Sequence, residues 1–237
     1  MRQNFHEHPS VGWVLTFIGG MVDSFTYMRY KAFASAQTGN LILAIIESFE
    51  KEWPTVEKKL LSTVCFVLGL LLAKWLKFSC RQQGFRFWRL GLLYLEALTF
   101  LILGSSIFIG HATLVTMVLA FITATQWIAF DKINGRAYTN LFTTGNLKGL
   151  SIGFFDFVIT RTDEKGTQFF HYLMVVLAFL SGVGVSVYCY AYLAYYTLKL
   201  MGMILLLLSL LQTYVVWRSY RKEANMLEHH PEDTKPE

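Results

Sequence analysis

The chain has 237 residues, of which 54% are hydrophobic and only 16% charged, with a formal net charge of +5. A soluble domain carries about a quarter charged residues, and here the charges gather between long apolar stretches. This excludes a nucleic-acid footprint as the source of the positive balance and points to lipid as the solvent. Glu96 is the only carboxylate between Leu90 and Val118, and Lys199 is the only charged residue between Tyr172 and Trp217. A bilayer core of roughly 30 Å needs about 20 apolar residues as a helix, and each of those windows holds enough for two.

In chain order, the apolar runs predict spans at about Val11–Tyr30, Leu60–Phe78, Trp88–Ile109, Ala112–Phe130, Phe169–Tyr195 and Leu198–Trp217. Two weaker elements, Phe33–Phe49 and Tyr138–Ile159, are polar at their starts, and the apolar tails that remain, Leu41–Phe49 and Leu147–Ile159, are too short to cross. The first run stays uncleaved, because it is too long for the apolar core of a signal peptide and contains Asp23. Cys65, Cys80 and Cys189 have no metal-ligand spacing and read as packing residues, without a structural disulfide.

Basic residues orient the spans. Lys74, Lys77, Arg81, Arg86 and Arg89 form an acid-free loop, cytoplasmic by the positive-inside rule. Six spans then put both termini inside, with Lys132, Arg136, Lys148, Arg218, Arg221 and Lys222, and leave Arg29, Lys31, Lys58 and Lys59 outside. Eight spans would strand the C-terminal basic cluster on the wrong face.

The sequence also repeats. Thr38-Gly39-Asn40-Leu41 recurs as Thr144-Gly145-Asn146-Leu147, each after one strong span. Each is followed by a span with small residues at every fourth position: Cys65, Gly69 and Ala73, then Ala178, Gly182 and Ser186. Three spans per repeat is odd, so the halves, about 11–109 and 112–217, are expected to be inverted, with a site where they meet. The expected fold is an all-α membrane protein of about six transmembrane helices in two inverted three-helix repeats. It is a single membrane domain, 1–217, followed by a polar cytoplasmic tail, 218–237.

In the first span Gly12, Thr16, Gly20 and Ser24 recur every fourth residue, spacing that lets another helix approach closely. Asp23 shares a face with Thr26 and Tyr27, and a carboxylate near the bilayer centre costs roughly 2.5 kcal/mol or more; an interhelical partner could also satisfy it. Gln126 occupies a comparable place before the second motif and reads as a neutral counterpart of Asp23. Glu96 is expected to pair with Arg89 or Lys77 by snorkelling. Thr38 or Asn40 could cap a helix start, and Gly39 permits tight backbone. Each motif then starts either a half-helix aimed at a central site or a helix lying along the interface.

The histidines at 6, 8, 229 and 230 sit in polar tails without further ligands, and no nucleophile–base pair is recognisable. No metal, cofactor or enzyme activity is therefore expected, and the partners are lipid and a small solute rather than nucleic acid.

Gly20-x-x-Asp23, Tyr27, Phe33 and Thr38-Gly39-Asn40-Leu41, with Gln126 and Thr144-Gly145-Asn146-Leu147, resemble the YoaK-like family of uncharacterised bacterial membrane proteins. The resemblance spans roughly residues 11 to 217 and implies about six transmembrane helices in the bacterial cytoplasmic membrane. Lys31 stands where that family usually has glycine, and Ala124 and Trp127 replace a glycine and an asparagine flanking Gln126. The function expected is a small-solute transporter or channel; the alternative is a membrane sensor, chaperone or assembly partner. The candidate substrate-binding residues are Asp23, Thr26, Tyr27, Thr38, Gly39, Asn40, Gln126, Thr144, Gly145 and Asn146.

Overall fold

A computed structural model describes residues 5–85 and 87–229, with side chains to Arg221. Arg86 of the basic loop, His230 and the tail beyond it lie outside the described residues, as do the side chains of Lys222 and His229. The described chain is helical apart from its connecting loops and one small hairpin: α1 (Pro9–Tyr30), α2 (Gln37–Phe49), α3 (Trp53–Gln82), α4 (Trp88–Leu103), α5 (Ala112–Ala129), strands β1 (Lys132–Ile133) and β2 (Arg136–Ala137), α6 (Thr144–Thr160), α7 (Asp163–Leu193) and α8 (Thr197–His229).

Each expected apolar run is a helix, but several boundaries differ for local reasons. α4 stops at Leu103 rather than Ile109, because Gly104, Ser105 and Ser106 are weak helix formers and Ser105 is extended. α2 begins at Gln37 rather than Phe33, since residues 33–36 are pinned to α1. α6 begins at Thr144 rather than Tyr138, and the preceding segment includes a hairpin that the hydropathy does not reveal. α1 ends on Lys31, whose φ of 56° is left-handed and whose N–H reaches the Tyr27 carbonyl. That conformation suits glycine, the residue usual there in the resembling family.

The long helices pack in pairs that cross between the halves. α1 lies on α7: a methyl on Gly20 would strike the Phe179 carbonyl oxygen, one on Gly182 would strike that of Phe17, and Ser186 Oγ donates to the Met21 carbonyl at 2.9 Å. α3 lies on α5 in the same manner, with Gly69 against the Phe121 carbonyl and Ala124. Both pairs are parallel, because Lys77 reaches Ile128 and Asp131 just as Ser186 reaches Met21. α4 and α8 are antiparallel, matching Gly104 to Lys199 at one end and Phe87 to Tyr220 at the other. Gly20, Gly69, Gly182 and Ser186 of the small-residue stripes thus lie at the crossings, where backbones touch, whereas Gly12 meets the Ile133 and Tyr138 side chains.

α2 and α6 belong to hairpins. α2 folds back on α3, with Gln37 meeting Thr63 and Glu47 meeting Lys59. α6 folds back on α7, with Gly149 against Tyr172 and Asp156 bonded to Lys165 at 2.8 Å. α2 therefore runs outward to the end of the bundle where α1 finishes, and α6 runs outward to the end where α1 begins.

α3, α5 and the helical run from Asp163 to Arg221 are long and apolar enough to cross a membrane. That last run holds both α7 and α8, divided at Ala194, where φ is 48° and ψ is −118°. α4 is only 16 residues long, and the glycines, threonines and Asp23 of α1 dilute its hydropathy. Large apolar side chains such as Ile45, Phe49, Leu71, Phe155, Leu180 and Leu207 point outward. Polar Thr26, Asn40, Glu96, Gln126, Asn146 and Ser186 are buried. These are membrane-type helices, apolar outside and locally polar within.

Candidate functional site

The polar interior is built around two loops. Residues 31–36 leave α1 and turn back into the bundle. There Asp23 Oδ1 accepts the Ser35 N–H at 2.8 Å, and Oδ2 accepts the Ser35 hydroxyl at 2.7 Å. Asp23 lies seven residues before the end of α1, so the loop returns roughly 10 Å along that helix at 1.5 Å per residue. Thr26 Oγ1 accepts the Ala34 N–H at 3.1 Å while donating to the Val22 carbonyl. The Ala36 position at the start of α2 has no side-chain cap of its own. The Asp23 carboxyl, only 5% exposed, is thus the acceptor for backbone just ahead of that helix end, supplied from a different helix.

The asparagines of the repeated motif do one job twice. Asn40 Oδ1 accepts the Phe33 N–H and Asn40 Nδ2 donates to the Phe33 carbonyl, both at 2.8 Å. Asn146 Oδ1 accepts the Thr139 N–H at 3.1 Å and Asn146 Nδ2 donates to the Thr139 carbonyl at 2.7 Å. In each half a buried amide clasps both sides of the residue seven places earlier. Neither Thr38 nor Asn40, the two candidates for a cap, caps the start of α2; each asparagine instead satisfies backbone in the loop ahead of its helix.

The second loop, residues 130–143, is longer because it carries the β1–β2 hairpin. Asn134 and Gly135 have φ of 49° and 78°, the left-handed pair of a tight hairpin turn. The Asn-Gly dipeptide is the sequence signal for it. The hairpin docks on the N-terminal segment, with Asn134 N–H donating to the Glu7 carbonyl at 2.9 Å and Gly135 N–H to Glu7 Oε2 at 3.0 Å. The loop then enters the bundle so far that a methyl on Gly19 would strike the Asn140 carbonyl. There the two loops meet, with the Ser35 hydroxyl 3.2 Å from the Leu141 carbonyl it also faces.

The equivalent crossings fix the register between halves. Phe17 faces Gly182 as Phe121 faces Gly69, so Gly20 matches Ala124 and Asp23 matches Trp127. Gln126 is therefore not the positional counterpart of Asp23. Its neighbour is Glu96, also buried, whose carboxyl Oε2 lies 3.2 Å from the end of the Gln126 amide; the amide nitrogen there would suit a carboxylate and its oxygen a protonated acid. Glu96 does not pair with Arg89 or Lys77: Arg89 Nε donates to the Ala129 carbonyl at 2.7 Å, and Lys77 binds Asp131 at 2.8 Å.

The candidate residues thus divide. Asp23, Thr26 and Asn40 converge on the first loop, Asn146 holds the second, and Gln126 lies on Glu96. Tyr27 is 38% exposed and stacks on Phe33 with ring centroids 4.7 Å apart. Thr38, Thr144 and Gly145 lie on exposed faces, and Gly39 packs beneath the Phe33 ring. Residues that sequence reasoning passed over are Ser35 and Leu141, where the loops touch, and Lys59, which is fully buried against Glu47 at 2.6 Å.

One end of the bundle is polar and crowded, with His6, Glu7, Lys77, Arg89 and Asp131 around the hairpin. Burial, with Arg89 and Lys77 close by, depresses the His6 imidazole to about 4 against the opposing pull of Asp131.

No curated protein and no solved structure matches the chain. The family described as "Protein of unknown function (DUF1275)" matches residues 11–211, a span that contains both loops and both asparagine clasps, and this uncharacterised family is the one to which the chain belongs.

Proposed function

We propose that the chain is a bacterial cytoplasmic-membrane transporter or channel for a small solute, with six spans in two inverted repeats. The observation that carries this reading is the meeting of the two loops at Ser35 and Leu141. Two short helices begin near that contact and run out to opposite ends of the bundle. Irregular backbone at membrane depth is tolerated where protein buries it or a wet cavity lines it, and discontinuous helices of this kind form solute sites in transporters. The reciprocal pairing of α1 with α7 and α3 with α5 supports the inversion. The Lys77, Arg89 and Arg218 end would face the cytoplasm by the positive-inside rule, with both termini there.

Purified protein in proteoliposomes, challenged with pools of amino acids, organic acids, nucleosides and inorganic anions, should pass a current or label absent from protein-free vesicles. Folded protein inert to every pool would favour a membrane assembly partner instead. Reporter fusions after Gln82 and Glu228 should report cytoplasm and one at His111 the outside. A C-terminus outside would remove the inverted-repeat reading at its root.

A further inference from the structure

Glu96 and Asp23 are both buried carboxyl groups in an apolar bundle, yet their surroundings differ. Asp23 accepts the N–H and hydroxyl of Ser35, at 2.8 and 2.7 Å, which suit a carboxylate. Among the described residues, the polar contact of Glu96 is with the neutral amide of Gln126, and each of the two residues is 1% exposed.

The charged and titratable groups on the elements packed around Glu96 are engaged elsewhere or distant. On α4 itself, Arg89 is bonded to Ala129 and stacked on Trp88, and the Tyr94 hydroxyl bonds Thr213. α5 has no charged residue between Ala112 and Ala129, and His111 lies at its far end. On α8, Lys199 sits over Tyr196 beside Gly104, eight positions along α4 from Glu96 and so about 12 Å away. Arg221 stacks on Trp217, while Arg218, Tyr214 and Tyr220 are exposed. On α1, Asp23 is held by Ser35, and Arg29 lies over Tyr195.

A buried carboxylate without a cation is costly, so such a group takes up a proton instead. A primary amide suits this, because it carries both a donor and an acceptor. It can offer its NH2 to a carboxylate or, after a half-turn, its carbonyl to the O–H of the acid. A lysine or arginine partner would hold the glutamate in one charge state, whereas glutamine accepts either.

We infer that Glu96 and Gln126 form a proton-binding site: the Glu96 carboxylate takes a proton from water at the membrane surface and returns it, and the Gln126 amide turns to match each state. Its use in coupling rests on the transporter reading above. There it would make solute flux respond to a pH gradient.

The test is infrared difference spectroscopy of the reconstituted protein across a pH titration, reading the carbonyl stretch of a protonated carboxylic acid. The wild type should show such a band rising as pH falls. Glu96→Gln, which sets two amides together and keeps the volume, should lose it. Gln126→Leu should keep it at a displaced frequency. A band that survives Glu96→Gln unchanged, or ignores Gln126→Leu, overturns the assignment, as does the absence of any pH-dependent band. In parallel proteoliposomes, Glu96→Gln should retain downhill flux of whichever solute the pools identify but lose its response to a pH gradient. A wild type with the band and no flux of any solute would support the proton site and sink the transporter reading alone.

Discussion

The two interior loops solve one problem with different side chains. Both enter the bundle, both are clasped by an asparagine seven residues on, and both lead into a short helix. Only the first is held by a buried carboxylate of the helix it follows, since the acids at the second, Glu7 and Asp131, lie around its hairpin at the end of the bundle. Where Asp23 accepts the Ser35 N–H, the matching position of the second half is Trp127, packed edge-on to Phe142 with centroids 4.7 Å apart. The comparison separates what the geometry requires from what one half adds. An amide clasp is common to both, whereas the buried acid is particular to the first.

The largest effect should therefore come from the clasps. Asn40→Leu leaves the Phe33 N–H unpaired while its carbonyl keeps the Ser62 hydroxyl at 3.3 Å, and Asn146→Leu strips both the N–H and the carbonyl of Thr139, at about 1–3 kcal/mol per group. Both should lower the detergent unfolding midpoint sharply, Asn146→Leu by the larger amount. A large loss for Asn40 alone would break the equivalence of the two loops.

Next come the crossings. Gly182→Ala and Gly69→Ala push helices apart at matching contacts and should each cost about 1–3 kcal/mol, as overpacked sites do. Cysteine pairs across α1–α7 and α3–α5 should lose disulfide formation in the corresponding variant and not in the other.

Asp23 sharpens the difference between the halves. Asp23→Leu removes the acceptor for Ser35 and should destabilise by about 1–3 kcal/mol. Asp23→Asn keeps one carbonyl acceptor and should lose less. An Asn variant as damaging as Leu would mean that the charge, and not the acceptor, holds the first loop.

The smallest effect concerns the hairpin of the second loop. The His6 imidazole is depressed from 6.5 to about 4, so between those values the unfolded chain binds more protons than the folded one. Stability is then independent of this group above pH about 6.5, declines as pH falls, and levels off below about 4. His6→Gln should flatten that decline without altering the midpoint at neutral pH. Hydrogen exchange at Asn134 and Gly135 is the local readout.

Much of this was legible in the residues. Apolar runs located every long helix, and the spacing of Gly69, Gly182 and Ser186 pointed to the crossings, because close backbone contact needs small side chains. The paired motif located both short helices. The chemistry of the motif was not legible, since the partners of Asn40 and Asn146 are backbone groups and leave no mark in sequence. Nor was the pairing of Glu96 with Gln126, because hydropathy carries no register between helices. Reading Gln126 as the match of Asp23 failed for that reason; the carbonyls of Phe17 and Phe121 set the alignment instead. The hairpin had left a signal in Asn134-Gly135, hidden by its two-residue strands.

The pairing of α1 with α7 also bears on how the chain is made. Gly20 finds its seat on Phe179 and Val183 only after some 160 further residues emerge, about 8 to 30 s at ribosomal speeds of about 5–20 residues per second. On the six-span reading proposed above, α1 sits in the bilayer through that wait without its main neighbour. Its acid is not left bare, however, because Ser35, which answers Asp23, is only twelve residues downstream. On that reading the first loop covers the acid as soon as it is synthesised, long before the second half exists.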